Sequence, residues 1–252
     1  TLSNASEKFS DLSRARSDVQ TAERLVMEAR AQNRTITITN PYELRVEQLY
    51  QVERAQVDPV EMARLREFLP DSFTDSATLS NASEKFSDLS RARSETWNKR
   101  LVSEATLSDG RSYLETYNND LNKAMVAYMK AASEDCLKGK SRSETRTYLT
   151  REFLDSLTEA NYRDNLNLFF KAQTDAQMEK NVYREIDPET NETFAKPCGN
   201  DLNKAAARYV KVTGERYILK EGEKKTPGRF YLDQKFIDSV TENNWRDKLY
   251  EL

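Results

Sequence analysis

Residues Thr1–Ser17 (TLSNASEKFSDLSRARS) occur again, letter for letter, as residues Thr78–Ser94. A match of that length does not arise by chance, so the chain contains at least two copies of one segment. Diverged copies of other segments surround them, and a chain built from one repeated unit presents similar surfaces several times. The repetition favours a scaffolding or linking protein over an enzyme.

The diverged copies recur at a spacing of about 80 residues, a length typical of a small helical module. Asn119–Ala124 (NDLNKA) recurs as Asn200–Ala205, and REFLDSLTE from Arg151 resembles KFIDSVTE from Lys235. A third, fainter copy is assigned to REFLPDSFTD from Arg66, with Pro70 as an insertion. These matches predict an N-terminal helix over residues 1–19 and helical modules over 20–94, 95–175 and 176–252, the last with a hairpin-like loop.

The composition predicts a mainly α fold. Six Gly and six Pro are too few for a turn-rich β protein. The apolar content of 37% is low and the charged content of 32% is high, which predicts thin cores in an elongated or partner-dependent chain. We therefore expect repeated helical modules with short extended or β-hairpin segments.

Apolar spacing of three and four predicts an amphipathic N-terminal helix that starts near Ser6. Its stripe consists of Phe9, Leu12, Ala15, Val19, Ala22, Val26 and Ala29. The alternating segment 34–40 (RTITITN) predicts a short strand or an extended arm that ends at Pro41. A second helix is expected from the region of Tyr42 to Phe68, with an interruption near Pro59.

Each later module is expected to hold two helices. Asp120 has the residue type and position of a helix N-cap, and the apolar face that follows includes Met125, Tyr128 and Cys136. The second helix is expected to begin near Ser143. The last module carries a polar segment between two aromatic runs, Tyr217–Leu232, which predicts a β-hairpin or a long loop.

Several classes of enzyme are excluded because the chain contains no histidine. This absence removes Ser-His and Cys-His nucleophilic pairs and the histidine-based metal sites. The phosphate-binding motifs G-x-x-x-x-G-K-[ST] and G-x-G-x-x-G are also absent. We therefore expect no catalytic residue, no metal site and no cofactor.

The charges and the remaining motifs indicate few specific partners. The 39 basic and 42 acidic residues are mixed along the chain, which argues against nucleic-acid binding. No apolar run approaches the roughly 20 residues of a transmembrane helix. Glycosylation sequons begin at Asn4, Asn33, Asn81 and Asn191. They keep a secreted or cell-surface interaction protein open as an alternative.

Two segments share a pattern that resembles phycobilisome linker polypeptides. The first runs Arg151-x-Phe153-x₃-Leu157-x₄-Tyr162-Arg163, and the second runs Phe236-x₃-Val240-x₄-Trp245-Arg246. In that family, an Arg-x-Phe helix with a Leu one turn further leads into a Tyr-Arg pair.

The resemblance implies a non-catalytic linker protein that is seated among phycobiliproteins. Its location would be the chloroplast stroma or thylakoid surface, or the cyanobacterial cytosol. Some relatives carry bilins through cysteine thioethers, so the resemblance makes Cys136 and Cys198 candidates for bilin attachment. The aromatic-arginine pairs Tyr162–Arg163 and Trp245–Arg246 become candidate partner contacts.

The leading hypothesis from the sequence is that the chain is a structural protein that organises the subunits of a larger assembly, such as a phycobilisome-type antenna. The second hypothesis is an α-helical ligand- or pigment-binding module with a pocket between helices. Read from the residues alone, both cysteines are ordinary thiols, and Cys136 is a small buried apolar residue.

Overall fold

The computed structural model describes residues 2–32, 34–137, 143–199, 201–219 and 231–249. The protein is 67% helix and 5% strand, which confirms the predicted mainly α fold. Its contacts divide the chain into two compact units, Thr1–Leu101 and Val102–Leu252. The finer division into modules at residues 20, 95 and 176 stays a prediction.

The first unit is built from four α-helices and one short 3₁₀ helix in its described part. They are α1 (Leu2–Ala31), α2 (Pro41–Val57), α3 (Pro59–Leu65), the 3₁₀ helix Asp71–Thr74 and α4, which runs from Ala82 to Glu104 across the unit boundary. The N-terminal helix is therefore longer than predicted, because it begins at Leu2 rather than near Ser6.

Capping residues fix the start of α2 and the break before α3, as the positions of Pro41 and Pro59 predict. The Asn40 side chain accepts a hydrogen bond from the Glu43 amide at 3.0 Å. Asp58 ends α2 and caps α3 by accepting from the amides of Val60 (2.9 Å) and Glu61 (3.0 Å). A proline follows each cap at the first helical position, where its missing N–H is not needed.

Residues 34–39 form neither helix nor strand, so the strand alternative for this segment is wrong. Arg34 attaches the segment to α2 instead. Its guanidinium donates two hydrogen bonds to Glu47, at 3.0 and 2.9 Å, and lies 3.8 Å from the centre of the Tyr50 ring. The hydrogen bond to Glu47 raises the pKa of Arg34.

The core of the first unit forms where the first half of α4 packs against α2 and α3. We call the receiving surface the α2–α3 cradle; it consists of Leu44, Val52, Ala55, Leu65 and Phe73. The inserted side chains are Phe86, Leu89 and Ala92 of α4, and Leu25 from the second half of α1 completes the cluster.

The second unit contains the remaining elements. They are α5 (Tyr113–Thr116), α6 (Leu121–Ala132), α7 (Arg151–Ser156), α8 (Tyr162–Arg184), β1 (Ile186–Asp187), β2 (Glu192–Thr193), α9 (Leu202–Glu215), α10 (Gln234–Ser239) and α11 (Trp245–Leu249), with 3₁₀ helices at Glu134–Cys136 and Lys196–Cys198. Asp120 caps α6, as predicted, by accepting from the Lys123 amide at 3.1 Å.

The prediction of one continuous helix from Ser143 is wrong. Residues 143–150 are not helical, and two helices follow, α7 and α8. Thr150 caps α7 by accepting from the Phe153 amide at 3.1 Å. A turn ending at Asn161 then separates α7 from α8. The apolar spacing continues across this turn, so the sequence pattern does not reveal the break between the two helices.

One core of the second unit lies between α8, α9, α10 and α11. It consists of Met178, Val182, Phe194, Ala195, Leu202, Ala205, Ala206, Ala207, Val210, Val212, Phe236, Ile237, Val240 and Trp245. Antiparallel strands β1 and β2 pair Ile186 with Thr193 and Asp187 with Glu192. Arg208 of α9 holds this hairpin, because it donates to the buried Asp187 and also to Glu189 at 2.7 Å.

The predicted hairpin or loop at Tyr217–Leu232 lies largely outside the described residues. At its ends, Ile218 and Leu232 form an isolated parallel bridge. A second isolated parallel bridge joins Leu137 and Leu149 after α6. The short β1–β2 hairpin was not anticipated from the sequence.

The duplicated segment provides a matched pair of positions for a stability test. Leu89 is fully buried in the cradle, whereas Leu12, in the same local sequence, is 52% exposed. We expect Leu89→Ala to lower the free energy of unfolding by about 2–5 kcal/mol. Leu12→Ala should change it by less than about 0.5 kcal/mol. Urea denaturation followed by circular dichroism measures both, and equal losses would contradict this packing.

Candidate functional site

One turn occurs three times in the described chain, immediately before a long or terminal helix. Its sequence is S-x-T-x-x-N, at residues 76–81, 156–161 and 239–244. In each copy the asparagine side chain accepts from the threonine amide, at 2.8, 2.8 and 2.7 Å. Its amide group donates to the serine carbonyl, at 3.2, 2.9 and 2.8 Å. The turn is thus a repeated hydrogen-bonded unit.

This turn corrects the alignment of the third copy. The hydrogen bonds align Phe73 with Phe153 and Phe236, since F-x-D-S-x-T-x-x-N runs through all three. The assignment that began at Arg66 with Pro70 as an insertion is therefore wrong. The letters REFL matched by identity, but the phenylalanine that precedes the turn is Phe73, five positions after the Phe68 of that assignment.

The turn places the two predicted aromatic-arginine pairs at equivalent positions. Tyr162 and Trp245 are both fully buried. Tyr162 Oη donates to Asn122 Oδ1 of α6 at 3.2 Å, and Trp245 Nε1 donates to Asn203 Oδ1 of α9 at 3.0 Å. Each asparagine lies two residues after a capping aspartate. The two rings are therefore core residues that attach a helix start to the preceding helix.

The arginines of the two pairs have different surroundings. Arg163 is exposed and donates to Asn122 Oδ1 at 3.0 Å. Arg246 has a side chain only 20% exposed, and it donates to both carboxylate oxygens of the fully buried Asp175, at 2.6 and 2.8 Å. The Thr147 amide donates to the same carboxylate at 2.7 Å. Whether these four residues contact a partner stays a prediction.

The two candidate bilin cysteines lie in different environments. Cys136 is 1% exposed, while Cys198 is partly buried near the end of a 3₁₀ helix. Burial raises the pKa of both thiols above the ordinary value. A raised pKa lowers the thiolate fraction at neutral pH, so neither thiol is an activated nucleophile in this conformation. Attachment of a bilin stays a prediction.

Two sequons have well-described surroundings. The Asn81 side chain is engaged in the repeated turn through both its oxygen and its nitrogen. Asn191 is exposed between β1 and β2, with a left-handed backbone (φ 56°). Asn33 lies outside the described residues. Of these two, Asn191 has the exposed side chain, and glycosylation of either stays a prediction.

The exact duplication creates the most marked surface feature of the first unit. In α4 the side chains Phe86, Leu89 and Ala92 are buried, with at most 4% exposure. We call their counterparts on α1 the bare stripe: Phe9, Leu12 and Ala15, all of which are exposed, Phe9 to 72%. Identical apolar side chains are thus covered in one copy and uncovered in the other.

The flanks of the buried stripe make polar contacts with the cradle. Lys85 Nζ donates to the carbonyls of Ser72 (2.7 Å) and Phe73 (3.0 Å) at one end. Arg93 forms an ion pair with Glu61 of α3 at 2.8 Å at the other end. Their counterparts on α1, Lys8 and Arg16, are exposed beside the bare stripe. The apolar pattern and its cationic flanks are therefore presented together.

A cavity of about 270 Å³ in the second unit is lined mostly by charged side chains. They include Asp135, Arg146, Glu179 and Lys180, of which Arg146 donates to Glu179 at 2.7 Å and Lys180 pairs with Asp135. A lining of such charged pairs is not typical of a small-molecule pocket, which is mainly apolar. Among the described residues, no group of three Cys, Asp or Glu side chains could hold a metal ion.

No family model, curated protein or solved structure matches this chain. The resemblance to phycobilisome linker polypeptides consequently stays a prediction from sequence. Within the described residues, no helix has both the length and the apolar character needed to span a bilayer. The bare stripe on α1 is the feature of the described residues that most directly indicates a function.

The ion pair of Arg246 provides a test of the second unit. Arg246→Met leaves the Asp175 carboxylate buried without its cation, so we expect a loss of about 2–4 kcal/mol in the free energy of unfolding. Asp175→Asn combined with Arg246→Met removes the buried charge and should recover part of that loss. Urea denaturation followed by circular dichroism measures both. A single variant as stable as the wild type would contradict this role of the pair.

Proposed function

We propose that this chain is a non-catalytic structural protein that joins the subunits of a larger protein assembly. The observation that carries the proposal is the duplicated segment, whose apolar stripe is buried on α4 and bare on α1. A sequence that packs tightly in one place has the shape and chemistry to pack in another. The bare copy is therefore a contact surface for a further protein subunit.

The free energy available from covering the stripe supports a binding role. Burying one Phe or Leu side chain fully contributes about 1.5–3 kcal/mol. Phe9 and Leu12 are 72% and 52% exposed, so most of this contribution is still available on α1. Clustered apolar side chains with a polar rim are typical of protein–protein contact sites.

The buried charges of the described residues support a structural role over a catalytic one. Four of the five buried carboxylates are paired with an arginine: Glu47 with Arg34, Asp175 with Arg246, Glu179 with Arg146 and Asp187 with Arg208. Paired carboxylates of this kind hold elements together. The sequence contains no histidine and both thiols have raised pKa values, so a histidine-activated nucleophile is excluded and neither cysteine is an activated thiolate.

A phycobilisome-type antenna is the assembly that the sequence resemblance suggests, with phycobiliproteins as the partners. It remains a proposal for the identity of the assembly, separate from the proposal that the chain is a structural subunit. The pigment-binding and cell-surface alternatives also remain predictions.

The proposed function is tested in the native source of the protein. In a native extract, the chain should sediment in a particle larger than its own 29.2 kDa. Phe9→Glu with Leu12→Glu places two charges on the bare stripe, and this variant should move to the monomer fraction. Arg14→Glu changes the net charge by the same amount away from the stripe, so it should stay in the particle.

Two results would contradict the proposed function. One is a wild-type chain that sediments as a monomer in the native extract. The other is a Phe9→Glu, Leu12→Glu variant that remains in the particle as fully as the Arg14→Glu control, because the bare stripe would then contribute nothing to assembly.

A further inference from the structure

The long helix α8 contributes to two cores, one with each half. In the second unit, the first half of α8 contacts the α6 layer through Tyr162 and through Phe169, whose ring lies 6.0 Å from that of Tyr128. The second half of the same helix contributes Met178 and Val182 to the cluster around α9. A long helix is thus covered by the preceding module along its first half.

Helix α1 follows this pattern along its second half alone. Leu25 and Ala29 are fully buried, and Leu25 belongs to the cluster of the α2–α3 cradle. Along the first half, the described side chains from residue 8 to residue 17 are all exposed. Helices α4 and α8 have this half covered by other helices, whereas the same half of α1 presents its apolar side chains uncovered.

We propose that the bare stripe of α1 docks into a cradle of the same kind as the α2–α3 cradle, carried by a second repeat module of this type. The inference rests on the proposed function, because it names the partner of that same contact surface. The identical sequence on α4 defines what the partner must offer. It needs an apolar surface for Phe9, Leu12 and Ala15, with hydrogen-bond acceptors at each end for the flanking cations.

Charge complementarity favours this partner over other occupants. On α4, Lys85 is satisfied by carbonyl oxygens and Arg93 by the carboxylate of Glu61. A cradle of the same build supplies those acceptors to Lys8 and Arg16. Two bare stripes packed against each other would instead bring Lys8 and Arg16 of one copy close to the same cations of the other, which favours a cradle over self-association of α1.

The inference is tested with the full-length chain and a labelled synthetic peptide of residues 1–20. In the wild type the cradle is occupied by α4, so the peptide should bind weakly. Leu89→Ala loosens α4, and we expect the peptide to bind this variant at least about tenfold more tightly than it binds the wild type. A peptide with Phe9→Ala and Leu12→Ala should lose that binding.

Exchanging the charges of one ion pair between the chain and the peptide provides a second measurement, in a variant whose apolar core is unchanged. Glu61→Arg opposes Arg93 on α4 and leaves the apolar contacts of the cradle in place. This variant should bind a peptide carrying Arg16→Glu several-fold more tightly than the unmodified peptide, whereas the Leu89→Ala chain should show the reverse preference. Circular dichroism confirms that each chain remains helical.

The inference is overturned if neither helical variant binds the peptide, or if the Phe9→Ala, Leu12→Ala peptide binds equally well. It is also overturned if the wild-type chain dimerises through the bare stripe while α4 stays in its cradle. These results are separate from the sedimentation test. If the chain assembles in its source but the peptide does not bind, the proposed function stands and this partner is rejected. If the chain is a monomer in its source but the peptide binds, the docking chemistry stands and the proposed function is rejected.

Discussion

Burial of the first part of a helix against the helices that precede it is the contact on which the rest of the structure depends. In the first unit, Phe86 and Leu89 fill the α2–α3 cradle; in the second, Tyr162 and Trp245 start helices by packing onto α6 and α9. The S-x-T-x-x-N turn directs the chain into this contact each time. Because the low apolar content limits each core, the inserted aromatic and aliphatic side chains supply much of its burial.

Paired charges set the positions of the elements around these cores. Asp175 and Asp187 are both fully buried, and each is matched by an arginine from a distant part of the sequence. The hydrogen bond from Arg208 lowers the pKa of Asp187, so its carboxylate is held in the ionised form. Buried pairs of this kind contribute to a single arrangement of the elements more than to net stability.

Local features of the fold could be predicted from the sequence. Asp120 and Pro59 marked helix boundaries correctly, because capping and proline effects act within a few residues. The pairing of Arg246 with Asp175 spans 71 positions and leaves no local signal. The identical letters at Arg66 give a wrong alignment of the third repeat. The pattern F-x-D-S-x-T-x-x-N, which recurs at Phe73, Phe153 and Phe236, gives the correct one and is present in the sequence. The different burial of Leu12 and Leu89 lay beyond local sequence, since both have the same neighbours.

The central claim is that the two copies of the duplicated segment differ only in whether other helices pack against them. Hydrogen exchange tests this claim directly. Unprotected amides at residues 8–17 and 85–94 exchange at the same intrinsic rates because their local sequences are identical. In the isolated chain, amides at 85–94 should therefore be protected by orders of magnitude more than their counterparts at 8–17. Equal protection of the two segments would contradict the account.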